Sequence, residues 1–189
     1  MLWSAGSNGS GFGDLRVTTL HLLRHAKSSW KTPGLDDHDR PLNRRGRHAA
    51  QALGLHLQRL ALVPDVVLCS TAVRARQTLD LLTPAIKPAR IVLEFELYEA
   101  DAAGLLAYLR KLSDAMACVL LIGHNPALHE LALLLAETAS SGTLPRAEDK
   151  FPTAALASLA FEGGWRALQP HSAAVVGYIE PRQLMAPEP

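Results

Sequence analysis

Four short apolar runs, each followed by a polar turn and a helix-like segment, set the strongest limit on the fold of this chain. The runs are residues 17–23, 65–69, 91–95 and 117–122. Runs of this length that are apolar throughout are typical of strands buried on both faces, which occur in parallel sheets covered by helices. We therefore expect an α/β fold: a three-layer α/β/α sandwich with a largely parallel central sheet and helices on both faces.

The stretches between these runs carry helix signals, mainly residues that can cap an N-terminus ahead of an apolar periodic segment. The last part of the chain differs. Short apolar segments at 154–161, 165–168 and 173–179 alternate with turns and predict strands that can add a hairpin edge to the sheet. The predicted helices are, in chain order, Asn43 to about Leu60, one capped by Ser70 or Thr71, Asp101 to about Leu112, and one capped by Asn125 with Pro126 at its first position.

The chain has 189 residues, 48% of them hydrophobic, which is enough for one domain with its own core. We expect a single domain over residues 16–184. Residues 1–15 are rich in glycine and serine and predict a flexible tail, and residues 185–189 predict a loose C-terminal end.

The formal net charge of +1 gives no general attraction to nucleic acid or to a membrane surface, so neither is expected as a partner. No apolar run approaches the roughly 18 residues that a membrane span needs, and the first residues lack the pattern of a signal peptide. Cys69 and Cys118 show no paired spacing and are expected to be free thiols. These features predict a cytoplasmic protein. With so small a net charge, an anion would have to be bound by a local cluster of basic residues.

Each predicted strand of the first four ends in polar residues that suit phosphate chemistry. The carboxyl ends of parallel strands meet at one edge of a sheet, where ligands of such folds bind. Helix N-termini at the same edge favour an anion, and an arginine in a first helical turn is electrostatically misplaced unless an anion lies nearby. The residues at this edge are Arg24 and His25, Ser70 with Arg74 in the following first turn, Glu96 and Glu99, and His124.

Four motifs at this edge resemble those of a known family. They are LRHAKSSW over residues 23–30, DHDRPLNRRG over 37–46, LCSTAVRARQT over 68–78 and IGHNP over 122–126. In sequence and order they resemble the histidine phosphatase superfamily, and within it the small SixA-like phosphohistidine phosphatases. The resemblance covers about residues 18–184 and implies a phosphoglycerate-mutase-like fold.

The resemblance implies a role for each residue of the expected site. His25 is the expected nucleophile and becomes transiently phosphorylated, while Arg24, Arg74 and His124 bind the phosphate. Ala26 stands where the superfamily usually has glycine in an Arg-His-Gly motif, and alanine is common in the SixA-like branch. The nearby arginines disfavour a protonated imidazole, so we expect a lowered pKa that keeps His25 nucleophilic at neutral pH. Neither a metal nor another cofactor is required.

These residues leave three functions open. The first is a cofactor-independent phosphatase that removes the phosphate of phosphohistidine on a protein. The second is a phosphatase of small-molecule phosphomonoesters, and the third is a non-catalytic phosphate-binding module with a regulatory role. The intact set of His25, Arg24, Arg74 and His124 argues against the third.

A general acid is the least defined part of the expected site. Many superfamily members protonate the leaving oxygen with a carboxylate near the third strand, where Glu96 and Glu99 lie. We rank Glu99 first, and it should matter most for a phosphomonoester. An imidazole is a better leaving group than an alkoxide and needs less help from an acid.

Basic residues cluster around the start of the first predicted helix, where cations oppose the helix dipole. They are Arg40, Arg44, Arg45 and Arg47, with Lys27 nearby in the chain. One interpretation is a solvated basic patch. The other is a substrate rim that docks an acidic phosphorylated partner or the non-reacting end of a substrate.

A zinc site is a poor alternative for the residues after the fourth strand. His124, His129 and Glu130 lack the i, i+4 histidine spacing of a zinc-binding helix. We expect His129 on the surface of its helix.

Overall fold

A computed structural model describes residues 16–185 and contains a six-stranded sheet flanked by helices. The tail predicted over 1–15 and residues 186–189 of the predicted C-terminal end lie outside the described residues. The strands are β1 (Val17–Arg24), β2 (Val66–Ser70), β3 (Ile91–Glu94), β4 (Cys118–Gly123), β5 (Leu156–Glu162) and β6 (Ala174–Ile179). The helices are α1 (Arg44–Arg59), α2 (Val73–Ile86), α3 (Glu96–Glu99), α4 (Ala102–Leu109) and α5 (Ala127–Leu135).

The strand order in the sheet is β3-β2-β4-β1-β5-β6. The first four of these run parallel, whereas β5 is antiparallel to β1 and β6 is antiparallel to β5. The predicted α/β sandwich with a largely parallel sheet is therefore confirmed. Its register pairs Arg24 with Gly123 and Cys69 with Ile122, which brings the carboxyl ends of β1, β4 and β2 side by side.

Side-chain alternation along the buried strands builds a core on each face of the sheet. Leu20 and Leu22 of β1 pack in a cluster with α4 and α5, whereas Leu23 packs in a cluster with α1 and α2. All three leucines are fully buried. Because burial of a leucine side chain stabilises a fold by about 2 kcal/mol, the two cores hold the strand ends that carry the polar residues.

Two helix starts have the caps that their sequences indicate. The side chain of Asn43 accepts a hydrogen bond from the Gly46 N–H at 2.8 Å, and that of Asp101 accepts one from the Gly104 N–H at 2.7 Å. Each cap satisfies a donor that the helix itself leaves free. The start of α1 is therefore fixed next to the loop that precedes it.

The caps predicted from Ser70 or Thr71 and from Asn125 are wrong. The N-cap of α2 is Ala72 and that of α5 is Pro126, and neither makes a side-chain capping bond. The Ser70 hydroxyl accepts from the Ala72 N–H at 3.3 Å and also bonds to His124, while the Asn125 side chain bonds to the Phe151 carbonyl, so both contribute to the site described below.

Two short segments near the sheet differ from their predictions. The stretch 165–168 is not a strand, because Trp165–Ala167 forms a 3-10 turn whose buried indole donates to the Met116 carbonyl at 2.8 Å. Gly163, with φ of 89°, supports the sharp turn that ends β5. The residues after β3 form the short helix α3 and not the polar turn expected after the third apolar run.

Candidate active site

The carboxyl ends of β1, β2 and β4 surround a cavity of about 360 Å³, which we call the His25 cavity. The structure brings four predicted site residues together in its wall: His25, Arg24, Arg74 and His124. The remaining lining residues are Lys27, Ser28, Trp30, Asp37, Arg40, Asn125 and Thr153. Since four of the lining side chains are cationic and one is a carboxylate, the cavity is suited to an anion.

His25 is buried immediately after β1, and its hydrogen bonds define its tautomer. Nδ1 lies 2.7 Å from the Ala26 carbonyl oxygen, an acceptor, so Nδ1 carries the proton. Nε2 accepts a hydrogen bond from Nε of Arg74 at 3.2 Å and therefore holds the lone pair. Ala26 is fully buried, and its N–H donates to the Thr78 hydroxyl at 3.0 Å, which fixes the backbone that orients the imidazole.

The environment of His25 favours a neutral imidazole. Burial is the main cause that lowers its pKa to about 3; the bond to the Ala26 carbonyl acts against it, and His124, Arg74 and Arg24 add to the lowering. A neutral imidazole is the nucleophilic form. His25 therefore has the protonation state that a nucleophilic imidazole needs at neutral pH.

Arg74, in the first turn of α2, connects several groups of the site. Its Nη1 donates to the Asp37 backbone carbonyl, and its Nη2 donates to Oδ2 of the same residue at 2.7 Å. Nη2 also lies 3.3 Å from Nδ1 of His124. A cation in the first turn of a helix is unfavourable because it faces the positive end of the helix dipole. The Asp37 carboxylate offsets part of this cost for Arg74.

His124 follows β4 and packs against His25 with a distance of 5.0 Å between ring centroids. Its Nδ1 faces the Arg74 donor, so Nε2 carries the proton and donates to the Ser70 hydroxyl at 2.8 Å. Burial, followed by the Arg74 charge, lowers its pKa to about 3. An anion bound in the cavity would oppose both effects and favour a protonated, phosphate-binding His124.

Arg24 and Asn125 share an acceptor in the loop before β5. Nη1 of Arg24 donates to the Phe151 carbonyl at 2.6 Å, and Nδ2 of Asn125 donates to the same oxygen at 3.2 Å. Nε of Arg24 and Oδ1 of Asn125 are buried without a hydrogen-bond partner among residues 16–185. Such atoms are costly unless a ligand satisfies them. A phosphate oxygen could accept a hydrogen bond from the free Arg24 donor.

Asp37 is the carboxylate of the cavity that the sequence did not single out. In addition to the two bonds from Arg74, it forms an ion pair with Arg40 and accepts from the Tyr98 hydroxyl at 2.9 Å. Partial burial would raise its pKa, but these three donors outweigh that effect and lower it to about 2. Asp37 is therefore ionised at neutral pH and is poorly suited to donate a proton.

Glu99, the predicted general acid, is exposed at the end of α3 and does not line the His25 cavity. Glu96 is exposed as well. The short helix presents Tyr98 toward the site instead, and its ring lies 5.2 Å from that of His124.

The predicted basic rim divides into buried and exposed parts. Arg40 is not part of a solvated patch: its side chain is buried in the wall of the His25 cavity and bonds to Asp37, Ser28 and the Ser29 carbonyl. Arg44 and Arg45 are exposed on the first turn of α1, as expected of a rim.

Arg45 lines a second cavity of about 260 Å³, which we call the Arg45 cavity. It shares Lys27 and Thr153 with the His25 cavity, so the two are adjacent, and it also includes Arg182. Arg44 is not among its lining residues.

His129 is not on the helix surface, and that prediction is wrong. Its ring is buried, Nε2 donates to the Pro145 carbonyl at 3.0 Å, and the ring stacks 5.4 Å from that of Phe151. It supports the loop whose Phe151 carbonyl accepts from Arg24.

Within residues 16–185, no group of three or more histidine, cysteine or acidic residues is arranged to hold a metal ion. No helix in the same range is long and apolar enough to cross a membrane.

Comparison with known proteins identifies the family. The model of the histidine phosphatase superfamily (branch 1) matches residues 20–111. An uncharacterised protein of Mycobacterium tuberculosis is 38% identical over 162 residues, which are 85% of this chain and all of the relative. The structure assigned as phosphohistidine phosphatase SixA of Agrobacterium tumefaciens is 32% identical, with a TM-score of 0.72 over 87% of this chain and 98% of that one.

The chain belongs to the histidine phosphatase superfamily. It is also similar to the structure assigned as SixA of Nakamurella multipartitia, with 29% identity and a TM-score of 0.74 over 87% of this chain and 96% of that one. The family match and the similarity to SixA together show that this chain is a phosphatase. The matched range contains His25 and Arg74, and the fold adds His124 from beyond it.

Proposed function

We propose that this phosphatase hydrolyses phosphohistidine on a protein through a phosphorylated His25, without a metal or another cofactor. The observation that carries the proposal is the His25 imidazole, which burial keeps neutral and whose Nε2 lone pair Arg74 orients, in a cavity lined by further cations. Phosphoryl transfer depends mainly on positioning and charge stabilisation, which these residues supply.

In the first step, the Nε2 lone pair of His25 attacks the phosphorus atom of the substrate. The bond between phosphorus and the leaving nitrogen or oxygen breaks, and its electron pair departs with the leaving group. Arg24 and Arg74 stabilise the equatorial oxygens, and the free Nε–H of Arg24 gains an acceptor. His25 now carries the phosphoryl group, and its Nδ1 proton remains bonded to the Ala26 carbonyl.

In the second step, water attacks the phosphorus atom of phosphorylated His25. The bond between Nε2 and phosphorus breaks, Nε2 recovers its electron pair, and the proton released by water passes to the departing phosphate or to solvent. Inorganic phosphate then leaves the cavity. The net reaction is hydrolysis, and neither step changes an oxidation state.

The acid–base properties of the site favour a phosphoramidate substrate over a phosphate ester. Among residues 16–185, Asp37 is the one carboxylate that lines the His25 cavity, and with a pKa of about 2 it cannot protonate a leaving alkoxide at neutral pH. The second ring nitrogen of phosphohistidine takes a proton from water, so its imidazole departs as a neutral group. A leaving group that needs no protonated carboxyl group matches a cavity whose carboxylate, Asp37, is ionised.

A small phosphomonoester is the second candidate. It is supported by the size of the His25 cavity, which lies within the usual range for small ligands. This function would require a proton donor outside the cavity wall, and Glu99 is the candidate that the sequence indicates. A cytoplasmic location would suit either substrate and is supported by the free thiols of Cys69 and Cys118.

The test compares turnover of a phosphohistidine-bearing protein with turnover of a panel of small phosphomonoesters, using the wild type and His25→Ala. We expect faster turnover of phosphohistidine and a trapped phosphoenzyme that the variant does not form. Preferred turnover of an ester would instead support the second candidate. Substantial activity in His25→Ala would exclude the covalent mechanism for both.

A further inference from the structure

Trp30 lines the His25 cavity although 79% of its surface is exposed. Among residues 16–185, it is the most exposed of the large hydrophobic residues. Because most of the indole stays in contact with water, Trp30 buries little apolar surface and contributes little to the core. An exposed apolar side chain at the mouth of a polar site is a candidate for ligand contact.

Arg40 holds the indole in place. The centre of its guanidinium group lies 3.2 Å from the Trp30 ring centroid, within the range of a cation–π interaction. The guanidinium itself cannot shift freely, because it is bonded to Asp37, to the Ser28 hydroxyl and, at 3.1 Å, to the Ser29 carbonyl. The Trp30 ring therefore rests on a fixed support on one side and remains open to solvent.

The backbone around Trp30 is fixed as well. The Ser29 N–H donates to the Pro41 carbonyl at 2.8 Å, and Ser28 forms a bridge with Leu42. A side chain that is already held in its binding orientation loses little further conformational entropy when a ligand contacts it. Trp30 is thus a preorganised aromatic surface beside the site of phosphoryl transfer.

We propose that Trp30 is the stacking surface for the planar ring that carries the phosphate. In this arrangement the phosphoryl group lies next to His25 and the leaving group lies against Trp30; both residues line the same cavity, and Trp30 is the one exposed to solvent. An imidazole or another planar ring at that position gains an offset-stacked contact. The inference rests on the proposed phosphatase mechanism, but it concerns the shape of the leaving group and not the atom that links it to phosphorus.

The experiment uses pairs of substrates that share the reacting bond but differ in the ring. Phosphohistidine and phosphoramidate both contain a phosphorus–nitrogen bond, and only the first carries a ring. Phenyl phosphate and ethyl phosphate form the corresponding pair of esters. Both pairs are measured with the wild type, Trp30→Ala and Trp30→Phe, with the melting temperature as a control of folding.

We expect Trp30→Ala to raise KM for the ring-bearing member of a pair about tenfold and to leave the ringless member unchanged. Trp30→Phe should leave KM close to the wild-type value, because it keeps an aromatic face. The melting temperature should not change, since the side chain is exposed.

An equal rise in KM of Trp30→Ala for the ring-bearing and the ringless substrate would overturn the proposal, because it would show that Trp30 acts only through Arg40 and the phosphate. An unchanged KM on both members would overturn it as well. If the wild type hydrolyses neither this phosphohistidine nor the phosphohistidine-bearing protein, the proposed substrate is wrong, and the ester pair still decides whether Trp30 stacks on the leaving group.

Discussion

Arg74 donates a hydrogen bond from Nε to Nε2 of His25 over 3.2 Å, and Nε2 is the atom that attacks phosphorus in the mechanism we propose. The bond orients the lone pair before the substrate arrives, and attack requires that Arg74 exchange it for a phosphate oxygen. Its other nitrogens remain bonded to Asp37, which limits how far the guanidinium can move. One arginine can thus orient the nucleophile and then stabilise the transferred group.

Replacement of Arg74 should therefore be costly. We expect Arg74→Ala to lower kcat/KM by about 10² to 10³, as for the loss of one preorganised donor. Arg74→Lys should recover little, because a lysine lacks the planar fork that reaches both His25 and Asp37. Arg76→Ala removes an exposed arginine from the same helix and is the matched control. Comparable activity of the Arg74 and Arg76 variants would contradict this role.

Asp37 and Glu99 can be separated by a matched pair of amide variants. Asp37→Asn removes the charge that holds Arg40 and Arg74, so we expect kcat/KM to fall about tenfold. Glu99→Gln should change it less than about twofold, because Glu99 is exposed and outside the cavity wall. Both variants are measured on phosphohistidine and on a phosphomonoester. A large effect of Glu99→Gln that is restricted to the ester would identify Glu99 as a general acid.

The sheet and the gathering of strand-end residues could be predicted because both follow from local patterns. Apolar runs define buried strands, and parallel strands bring their carboxyl ends to one edge whatever the details of the helices. These two patterns are enough to predict that Arg24, His25, Arg74 and His124 lie close together, as they do in the wall of the His25 cavity.

Features that depend on the packing of loops could not be predicted. Asp36, Asp37 and Asp39 are equivalent in sequence, and only the 3-10 turn over 37–39 directs one carboxylate toward Arg74. His129 is buried because a distant loop covers its helix and supplies the Pro145 carbonyl. Contacts of this kind are set by tertiary structure and leave no periodic signal in the sequence.

The two exposed arginines at the start of α1 provide a test of the proposed rim. Arg45 lines the cavity next to the His25 cavity, together with Lys27 and Arg182, whereas the adjacent Arg44 does not. We expect Arg45→Glu to raise KM for an acidic phosphoprotein about threefold or more, and Arg44→Glu to have a smaller effect. Neither variant should change KM for a small chromogenic phosphate. Equal effects of the two variants on the phosphoprotein would favour a solvated patch over a docking site.

His21 lies inside β1, where only 7% of its surface is exposed and Nδ1 is 2.8 Å from the Ser158 hydroxyl. Burial lowers its pKa to about 4, whereas the unfolded chain retains a value of about 6.5. The unfolded state therefore binds the proton first as the pH falls. His21 contributes stability that is fully present above about pH 6.5 and is lost between that pH and about pH 4. His25 and His124, with lowered pKa values of their own, act in the same direction.

The acid sensitivity that comes from His21 can be isolated with His21→Gln, which keeps a polar side chain but does not titrate. A shift of about 1.5 pH units below the unfolded pKa corresponds to about 2 kcal/mol for one histidine. We expect the free energy of unfolding of the wild type to fall by about 2 kcal/mol more than that of the variant between about pH 7.5 and about pH 5. Urea denaturation at the two pH values measures this difference, independently of any constant loss from the substitution itself. Parallel losses in the two proteins would mean that His21 is not held neutral in the folded state.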